Sequence, residues 1–130
     1  MKIARLIARI LLGAGFTFAG ASIFFVTPPP DPGMAGVFDE VFFKSHWALF
    51  VAAAQVVLGV MLLTNRYVPV ALIILAAFVY NSFAFHITMA PSSVWAPILV
   101  LLLWLLVAMP YRRLFAPIFA ARAQTDEQRL

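Results

Sequence analysis

The sequence has no cysteine and few charged residues, and each shortage excludes a class of protein. Without cysteine, the chain alone forms no disulfide, no thiolate metal site and no thiol–disulfide exchange centre. Only 11% of its 130 residues are charged, against about 25% in a soluble domain. Apolar residues make up 65%, which is more than a chain of this length can bury in its own interior. The composition therefore predicts an integral membrane protein with one domain, in contact with the lipid bilayer.

Four apolar segments predict an all-α fold, a four-helix transmembrane bundle. The predicted helices cover about residues 4–26, 46–63, 67–89 and 93–109, and the tail 111–130 is expected to be partly interfacial. Pro69 and Pro97 lie in the opening turns of the third and fourth segments, where a missing N–H is tolerated. The third segment carries no charged residue, but it contains the polar Asn81, Ser82 and His86, which need partners in a membrane.

The first segment has features of a signal peptide as well as of a membrane helix. Basic residues precede an apolar run, and small residues follow at positions 19–21. The apolar run continues past them through Phe25, which favours a membrane helix. Small residues along the segment predict a surface for close contact with a neighbouring helix: Gly13, Gly15, Ala19, Gly20 and Ala21.

The connection between the first two segments is the longest in the chain. Its prolines at positions 28, 29, 30 and 32 exclude a helix or a central strand there. Residues 37–44 (VFDEVFFK) then place apolar and acidic residues at helical spacing. This pattern predicts a short interfacial helix in the first outer loop, with Phe38, Val41 and Phe42 turned to the acyl chains.

The basic residues lie almost entirely on one side of the predicted bundle. If the chain crosses four times, these fall together: Lys2, Arg5, Arg9, Arg66, Arg112, Arg113, Arg122 and Arg129. Lys44 shares the opposite side with Asp31, Asp39 and Glu40. The positive-inside rule therefore predicts a multi-pass protein of the bacterial cytoplasmic (inner) membrane, with both termini in the cytoplasm. We call the two sides the basic end and the acidic end.

Three polar side chains in different segments share about the same depth. Thr17, Gln55 and Asn81 each lie about 12–14 Å below the outer surface at a rise of about 1.5 Å per residue. An unpaired amide in hydrocarbon costs several kcal/mol. We therefore predict that Gln55 and Asn81 face the bundle interior and bond each other, a water or a ligand. The alternative is that they only pin two helices together, a contact worth about 0.6 kcal/mol.

His86 lies nearer the acidic end, at about the level of His46, and shares a helix face with Ser82 and Met89. Three interpretations are open. His86 bonds a backbone group at the interface, or lines a small-ligand or quinone site open to the outer leaflet, or ligates a haem or chlorophyll metal together with His46. Only the similar depth of the two histidines supports the third, so both are weak candidates and no metal site is predicted.

Motifs for catalysis are missing. The sequence has no phosphate-binding glycine loop, no HExxH pair, no Ser-His-Asp set that can be placed and no carboxylate within a predicted span. We therefore predict no catalytic residue, which favours a protein that is not an enzyme. The net charge of +4 does not indicate nucleic-acid binding, because the basic residues flank apolar runs instead of forming a patch.

The stretch LGVMLLTNRYVPVALIILAAFVYNSFAFH resembles the DoxX-like integral membrane proteins. In that family a glycine-bearing helix leads to a T-x-R-[YF]-x-P turn, and a later helix ends in N-x-x-x-F-H. The resemblance carries these motifs onto Thr64, Arg66, Pro69, Asn81 and His86. The small-residue first helix and the end MPYRRLFAPIF also resemble the family, which implies a four-helix bundle. The chain departs at Gln55, where an acidic residue is expected, so chemistry that needs a carboxylate there is in doubt for this chain.

The resemblance implies an association with membrane redox enzymes. Some members are subunits of membrane oxidoreductases, including thiosulfate:quinone oxidoreductase, and distant eukaryotic relatives act as cargo receptors or assembly chaperones. One hypothesis is a non-catalytic membrane subunit or assembly factor with protein partners. The second is a quinone- or small-molecule-binding redox component that uses Gln55, Asn81 and His86, and it requires a pocket between the first three segments. A haem or pigment subunit is third. No cofactor is evident from the residues, and a quinone or lipid fits them better than haem or chlorophyll.

Overall fold

The computed structural model describes residues 1–129, with side chains for residues 1–127. Leu130 and the side chain of Arg129, which the topology prediction counts at the basic end, lie outside the described residues. Within the described range the chain is helical and contains no strand. The helices are α1 Lys2–Ile23, α2 Met34–Lys44, α3 Trp47–Leu63, α4 Val68–Thr88, α5 Trp95–Ala108 and α6 Arg112–Phe115. Short 3₁₀ turns flank them at Pro91–Ser93, Met109–Tyr111, Ala116–Phe119 and Asp126–Arg129.

The prediction of an all-α membrane fold is confirmed. Three helical stretches are long and apolar enough to cross a bilayer: Lys2–Ile23, Val68–Thr88 and the continuous run Pro91–Phe119. α3 has 17 residues, about 25 Å at about 1.5 Å per residue, which is shorter than a hydrocarbon core of about 30 Å. α2 meets α3 at 85°, and the two together pass the same test as one bent span. The described chain therefore has three candidate spans, or four when this pair is counted as one.

α1, α3, α4 and α5 form a four-helix bundle in which each helix packs mainly against two neighbours. α1 packs against α3 and α5, and α4 packs against the same two helices. The α1–α3 contact is the most extensive of the four. A short turn at residues 64–67 joins α3 to α4. The basic end therefore gathers the start of α1, this turn and the end of α5.

Glycines, which have no side chain, let α1 and α3 approach closely. Gly13 and Gly20, two of the small residues expected to form a contact surface, lie in this interface. A Cβ on Gly20 would lie 2.6 Å from the backbone oxygen of Ala52 on α3, which is too close for two non-bonded atoms. Gly15 has no atom within 4 Å of its Cβ position, and Ala19 is exposed. The contact surface of α1 is therefore narrower than predicted.

The apolar core lies in one half of the bundle. Its buried residues are Ala8, Leu12, Leu58, Leu62, Val68, Ala71, Leu72, Leu75, Val107 and Ala108. Each of them belongs to the half of its helix that is nearer the basic end. Phe16, Phe78 and Trp104 pack against this cluster from the side. The four helices therefore share a packed apolar core at the basic end.

α2 runs almost perpendicular to α3 at the acidic end. His46, between the two helices, has a φ of 62°, in the left-handed region that few non-glycine residues occupy. This backbone conformation accommodates the 85° bend between the helix axes. The helix predicted for residues 37–44 is therefore present, and it begins earlier, at Met34.

The aromatic side chains of α2 do not all face outward as predicted. Phe38 and Phe42 stack on each other with ring centroids 5.7 Å apart, and Phe38 contacts Phe85 of α4 at 5.5 Å. Val41 is 63% exposed and keeps the predicted direction. Phe38 and Phe42 instead contact aromatic rings of the bundle, Phe38 at Phe85 and Phe42 at Trp47, although Phe38 keeps 37% of its surface exposed.

Candidate ligand-binding site

The predicted polar layer does not form as a unit. Thr17 Oγ1 donates a hydrogen bond to Gly13 O of its own helix at 2.8 Å. Thr17 also lies against Gly59 of α3, where any added Cβ would overlap its hydroxyl. Gln55 lies in the same α1–α3 contact, and its Oε1 is buried without a hydrogen-bond partner among the described residues. Close helix contact thus fills this level of the α1–α3 interface.

Asn81 does not face the bundle interior, and that prediction is wrong. Its side chain is exposed on the outside of the bundle. Its Nδ2 donates a hydrogen bond to Ala77 O, one turn earlier in α4, at 2.8 Å, and not to Gln55. The reason is rotational. Leu72 is fully buried, and Asn81 follows it by nine residues, about two and a half turns of about 3.6 residues, so the two lie on opposite faces of α4. Depth along the helix was the wrong guide to direction.

A cavity of about 720 Å³ opens at the acidic end. Its walls come from the proline-rich loop, α2, the first turns of α3 and the second half of α4. Aromatic side chains dominate the lining: Phe38, Phe42, Phe43, Trp47, Phe78 and Phe85. Among the candidate ligand-binding residues, Asn81 and Ser82 line the cavity, whereas Thr17, Gln55 and His86 do not. The structure therefore offers a pocket, but on a different side of α4 from the one that the polar-layer prediction requires.

Two uncharged polar side chains of α4, Asn81 and Ser82, are available to a ligand in the cavity. After its bond to Ala77 O, the Asn81 amide retains Oδ1 and a second N–H. The Ser82 hydroxyl has no hydrogen bond within the described part of the chain. Thr88, also in the lining, instead donates back to Ala84 O at 2.7 Å, as hydroxyls in membrane helices commonly do. Asn81 and Ser82 are thus the side chains of α4 that can bond a guest.

The aromatic wall is continuous from α4 across α2 to α3. Phe85 of α4 contacts Phe38, which stacks on Phe42. Phe42 in turn meets Trp47, the first residue of α3, edge to face at 5.7 Å. Such pairs contribute about 0.5–1.5 kcal/mol each beyond their buried area. The wall therefore fixes α2 over the cavity.

The charges around the cavity are acidic. Asp31 and Asp39 belong to its lining, and no lysine, arginine or histidine does among residues 1–127. Asp39 Oδ2 accepts the backbone N–H of Asp31 at 3.3 Å, which ties the loop to α2. Lys44 forms an ion pair with Glu40 on the outer side of α2, and its hydrogen bond lowers the pKa of the Glu40 carboxyl. The nearest lysine along the chain is thus paired away from the cavity.

His86 joins α4 to the turn that follows it. Its Nδ1 lies 2.9 Å from Ser93 Oγ, and the Ser93 hydroxyl lies 3.1 Å from Ala90 O, which can only accept. Both bonds form together when the hydroxyl donates to Ala90 and Nδ1–H of His86 donates to Ser93. The partner of His86 is therefore a side-chain hydroxyl, where the first of the three interpretations expected a backbone group.

The two histidines do not belong to a larger set of metal ligands in the described range. His46 is exposed at the α2–α3 bend. Among residues 1–129, no three His, Asp or Glu side chains come together as they would around a metal ion. The suggestion of a haem or pigment metal held by His46 and His86 stays a prediction based on depth alone.

Comparison with known proteins bears on the segments that build the cavity. The DoxX family model matches residues 4–87, which is more than half of the chain. The chain belongs to the DoxX family. No curated protein and no solved structure matches it. Since the match covers α1 to α4 almost completely, it includes the lining of the cavity except Thr88 and Met89.

The family match ends before α5 and before the arginine-rich segment 109–119. The likeness of that segment to DoxX proteins therefore stays a prediction. In the structure, the segment continues the helical run of α5 as far as Phe119.

Two polar contacts of this DoxX protein escaped the sequence reasoning. Arg9, taken as a topology signal, also donates through Nη1 to Leu62 O, in the last turn of α3. Trp104 Nε1 donates to Leu72 O across the α4–α5 contact at 2.8 Å. Both acceptors are backbone carbonyls on another helix, and a backbone carbonyl has no sequence signature. Only knowledge of which helices are neighbours would have found them.

Proposed function

We propose that this DoxX protein holds a small amphiphilic molecule in the acidic-end cavity, as a non-catalytic membrane component of an oxidoreductase-type complex. The cavity itself carries the proposal, since it combines about 720 Å³ of space with aromatic walls and two polar groups that are free to bond. Small-molecule sites typically have about 300–1,000 Å³, apolar walls and a few placed polar groups.

A quinone-sized molecule matches these groups. Its ring can lie on the aromatic wall, and its carbonyl oxygen can accept from the free N–H of Asn81 or from the Ser82 hydroxyl. Because the two donors are neighbours on α4, they can bond the same polar group of a ligand. The rest of the lining is largely apolar and suits a ring or an alkyl chain.

Holding a molecule fits these residues better than converting it. A serine nucleophile needs an adjacent base, and His86, one turn after Ser82 on α4, directs its Nδ1 to Ser93 and forms no hydrogen bond with Ser82. The chain has no cysteine, so any electron transfer would depend on the bound molecule or on a protein partner. This dependence is why the proposal includes a complex.

Titration of the purified protein with decylubiquinone tests the binding site. Trp47 lines the cavity, so a bound quinone should quench its fluorescence, and Trp47→Phe should remove that part of the signal. Ser82→Ala should weaken binding about fivefold, because one hydrogen bond of about 1 kcal/mol is lost. Ser92→Ala, which removes an exposed hydroxyl outside the cavity, is the matched control. Equal affinities of the two variants, or no quenching at all, would place binding elsewhere.

The complex is tested by purification from native membranes in mild detergent. Mass spectrometry of the purified material should identify membrane oxidoreductase subunits together with a lipid-soluble molecule. Cross-linking before solubilisation guards against loss of weak partners. A protein that is recovered alone after cross-linking would contradict a role as a subunit.

The orientation of the bundle is also proposed: basic end in the cytoplasm, bacterial inner membrane. Because the chain has no cysteine, single substitutions give a direct test. Ser92→Cys lies at the acidic end and Ala121→Cys beyond the basic end, and both positions are exposed. A membrane-impermeant maleimide should label the first in intact spheroplasts and the second only after lysis. The reverse pattern would invert the topology.

A further inference from the structure

We propose that the acidic-end cavity selects a positively charged amphiphile, of the lipophilic ammonium or phosphonium class, over an anionic molecule of the same size. This inference rests on the proposed function, because it names the class of molecule that the cavity holds. It follows from the charge and the ring surfaces of the lining.

The cavity is a local exception to the charge of the protein. The whole chain has a formal net charge of +4, yet the lining carries two carboxylates and, among the residues with described side chains, no basic group. Lys44 is the lysine nearest in sequence to Asp39, and it is paired with Glu40. A cation that enters the cavity therefore meets attraction that no basic side chain of the lining cancels.

The walls strengthen this preference. Aromatic rings present a negative face, which attracts a cation within about 6 Å of a ring centroid. The ring centroid of Phe38 lies 5.7 Å from that of Phe42 and 5.5 Å from that of Phe85, so a guest that reaches Phe38 is near the other two rings. An anion of the same shape would meet the same rings with the opposite sign of interaction.

The arrangement also explains why the ligand should be an amphiphile. Asp31 and Asp39 are held together on the loop and α2 by the hydrogen bond between Asp39 Oδ2 and the Asp31 N–H. Phe78 and Asn81 lie further along α4 toward the packed core, where the lining turns apolar apart from the polar pair Asn81 and Ser82. A charged group beside the carboxylates, an apolar body along the rings and a polar substituent at Asn81 and Ser82 would satisfy both parts.

Tetraphenylphosphonium and tetraphenylborate provide the test, because they share size and shape and differ in the sign of charge. Their affinities for the full-length protein are measured by equilibrium dialysis in a non-ionic detergent, with decylubiquinone as the neutral reference. The cation should bind at least about tenfold more tightly than the anion. Asp31→Asn with Asp39→Asn should reduce that preference about tenfold, whereas Glu127→Gln, which removes an exposed carboxylate of the tail outside the cavity, should not change it.

The outcomes separate this inference from the proposed function. Equal binding of the two ions, or a preference that survives the double substitution, overturns the inference. Binding of decylubiquinone without binding of the cation overturns it and leaves the proposed function standing. If neither the ions nor decylubiquinone bind, both fail. Asp31→Asn alone leaves the Asp39 hydrogen bond in place, so a partial loss of preference in a variant with unchanged thermal stability supports the inference even if the double variant does not fold.

Discussion

The two ends of the bundle differ in packing. At the basic end, Leu62, Leu72 and Leu75 are 0% exposed and belong to a core that all four long helices share. At the acidic end, α2 and α3 bury mainly alanines, such as Ala35 and Ala52, and a cavity of about 720 Å³ remains open. The apolar character of a residue therefore does not reveal whether it contacts a neighbouring helix, the lipid or a ligand. In this DoxX protein, the buried core lies at one end and the open cavity at the other.

The packed end should show the largest effect of a single substitution. Leu72→Ala should lower the free energy of unfolding by about 2–5 kcal/mol, because the site is fully buried and the deletion leaves a cavity. Unfolding is followed in mixed detergent micelles with increasing dodecyl sulfate. Leu102→Ala on α5, where the side chain is 54% exposed, is the control and should change the value by less than about 1 kcal/mol. A similar loss at both leucines would mean that the basic end is not the stabilising core.

The contact between α1 and α3 comes next. Gly20→Ala should lower the free energy of unfolding by about 1–3 kcal/mol, since the new Cβ meets the backbone oxygen of Ala52, which cannot move aside alone. Gly15→Ala on the same helix adds the same methyl group into open space and should be neutral or stabilising by up to about 1 kcal/mol. The same unfolding assay compares them, and a loss at Gly15 as large as at Gly20 would argue against the close contact.

The elements of this fold follow from local sequence, and its contacts do not. Apolar length predicts the spans, the proline-rich loop predicts the break, and the pattern of residues 37–44 predicts α2. The motif from Thr64 to Pro69 and the one from Asn81 to His86 point to the DoxX family, which the family match confirms. Each of these signals lies within one short stretch of chain.

The site depends on rotation and on distant segments, so less of it was predictable. α4 is apolar on most sides, and its sequence does not reveal which face packs. The position of Asn81 along the helix therefore did not give its direction. The cavity joins the loop and α2 to the second half of α4, which are more than thirty residues apart. Asn81 and Ser82 were identified because they are polar residues within an apolar span. Asp31, Asp39 and the aromatic wall have no comparable signal in the sequence.

Gln55 offers a stabilising substitution between the two ends. Its Oε1 is buried without a partner in the described chain, and a buried acceptor without a hydrogen bond costs about 1–3 kcal/mol. Gln55→Met keeps the length of the side chain and removes the polar atoms, so it should raise the free energy of unfolding by about 1 kcal/mol. Asn81→Leu, whose amide is exposed and bonded within its own helix, is the contrast and should change stability little. If Gln55→Met destabilises instead, the Gln55 amide has a partner such as a water or a ligand.

The smallest effect should come from a charge at the packed end. Arg9 donates to Leu62 O, and its Nη1 lies 3.5 Å from Leu63 O, so a cation sits at the carbonyl end of α3, where the helix dipole is negative. Arg9→Gln should therefore lower the free energy of unfolding by about 0.5–1 kcal/mol, and the loss should shrink in high salt. Arg122→Gln removes the same charge from an exposed position in the tail and should change nothing measurable. Equal values for the two variants would mean that Arg9 serves orientation alone, and the difference between the two ends would then rest on apolar packing without help from electrostatics.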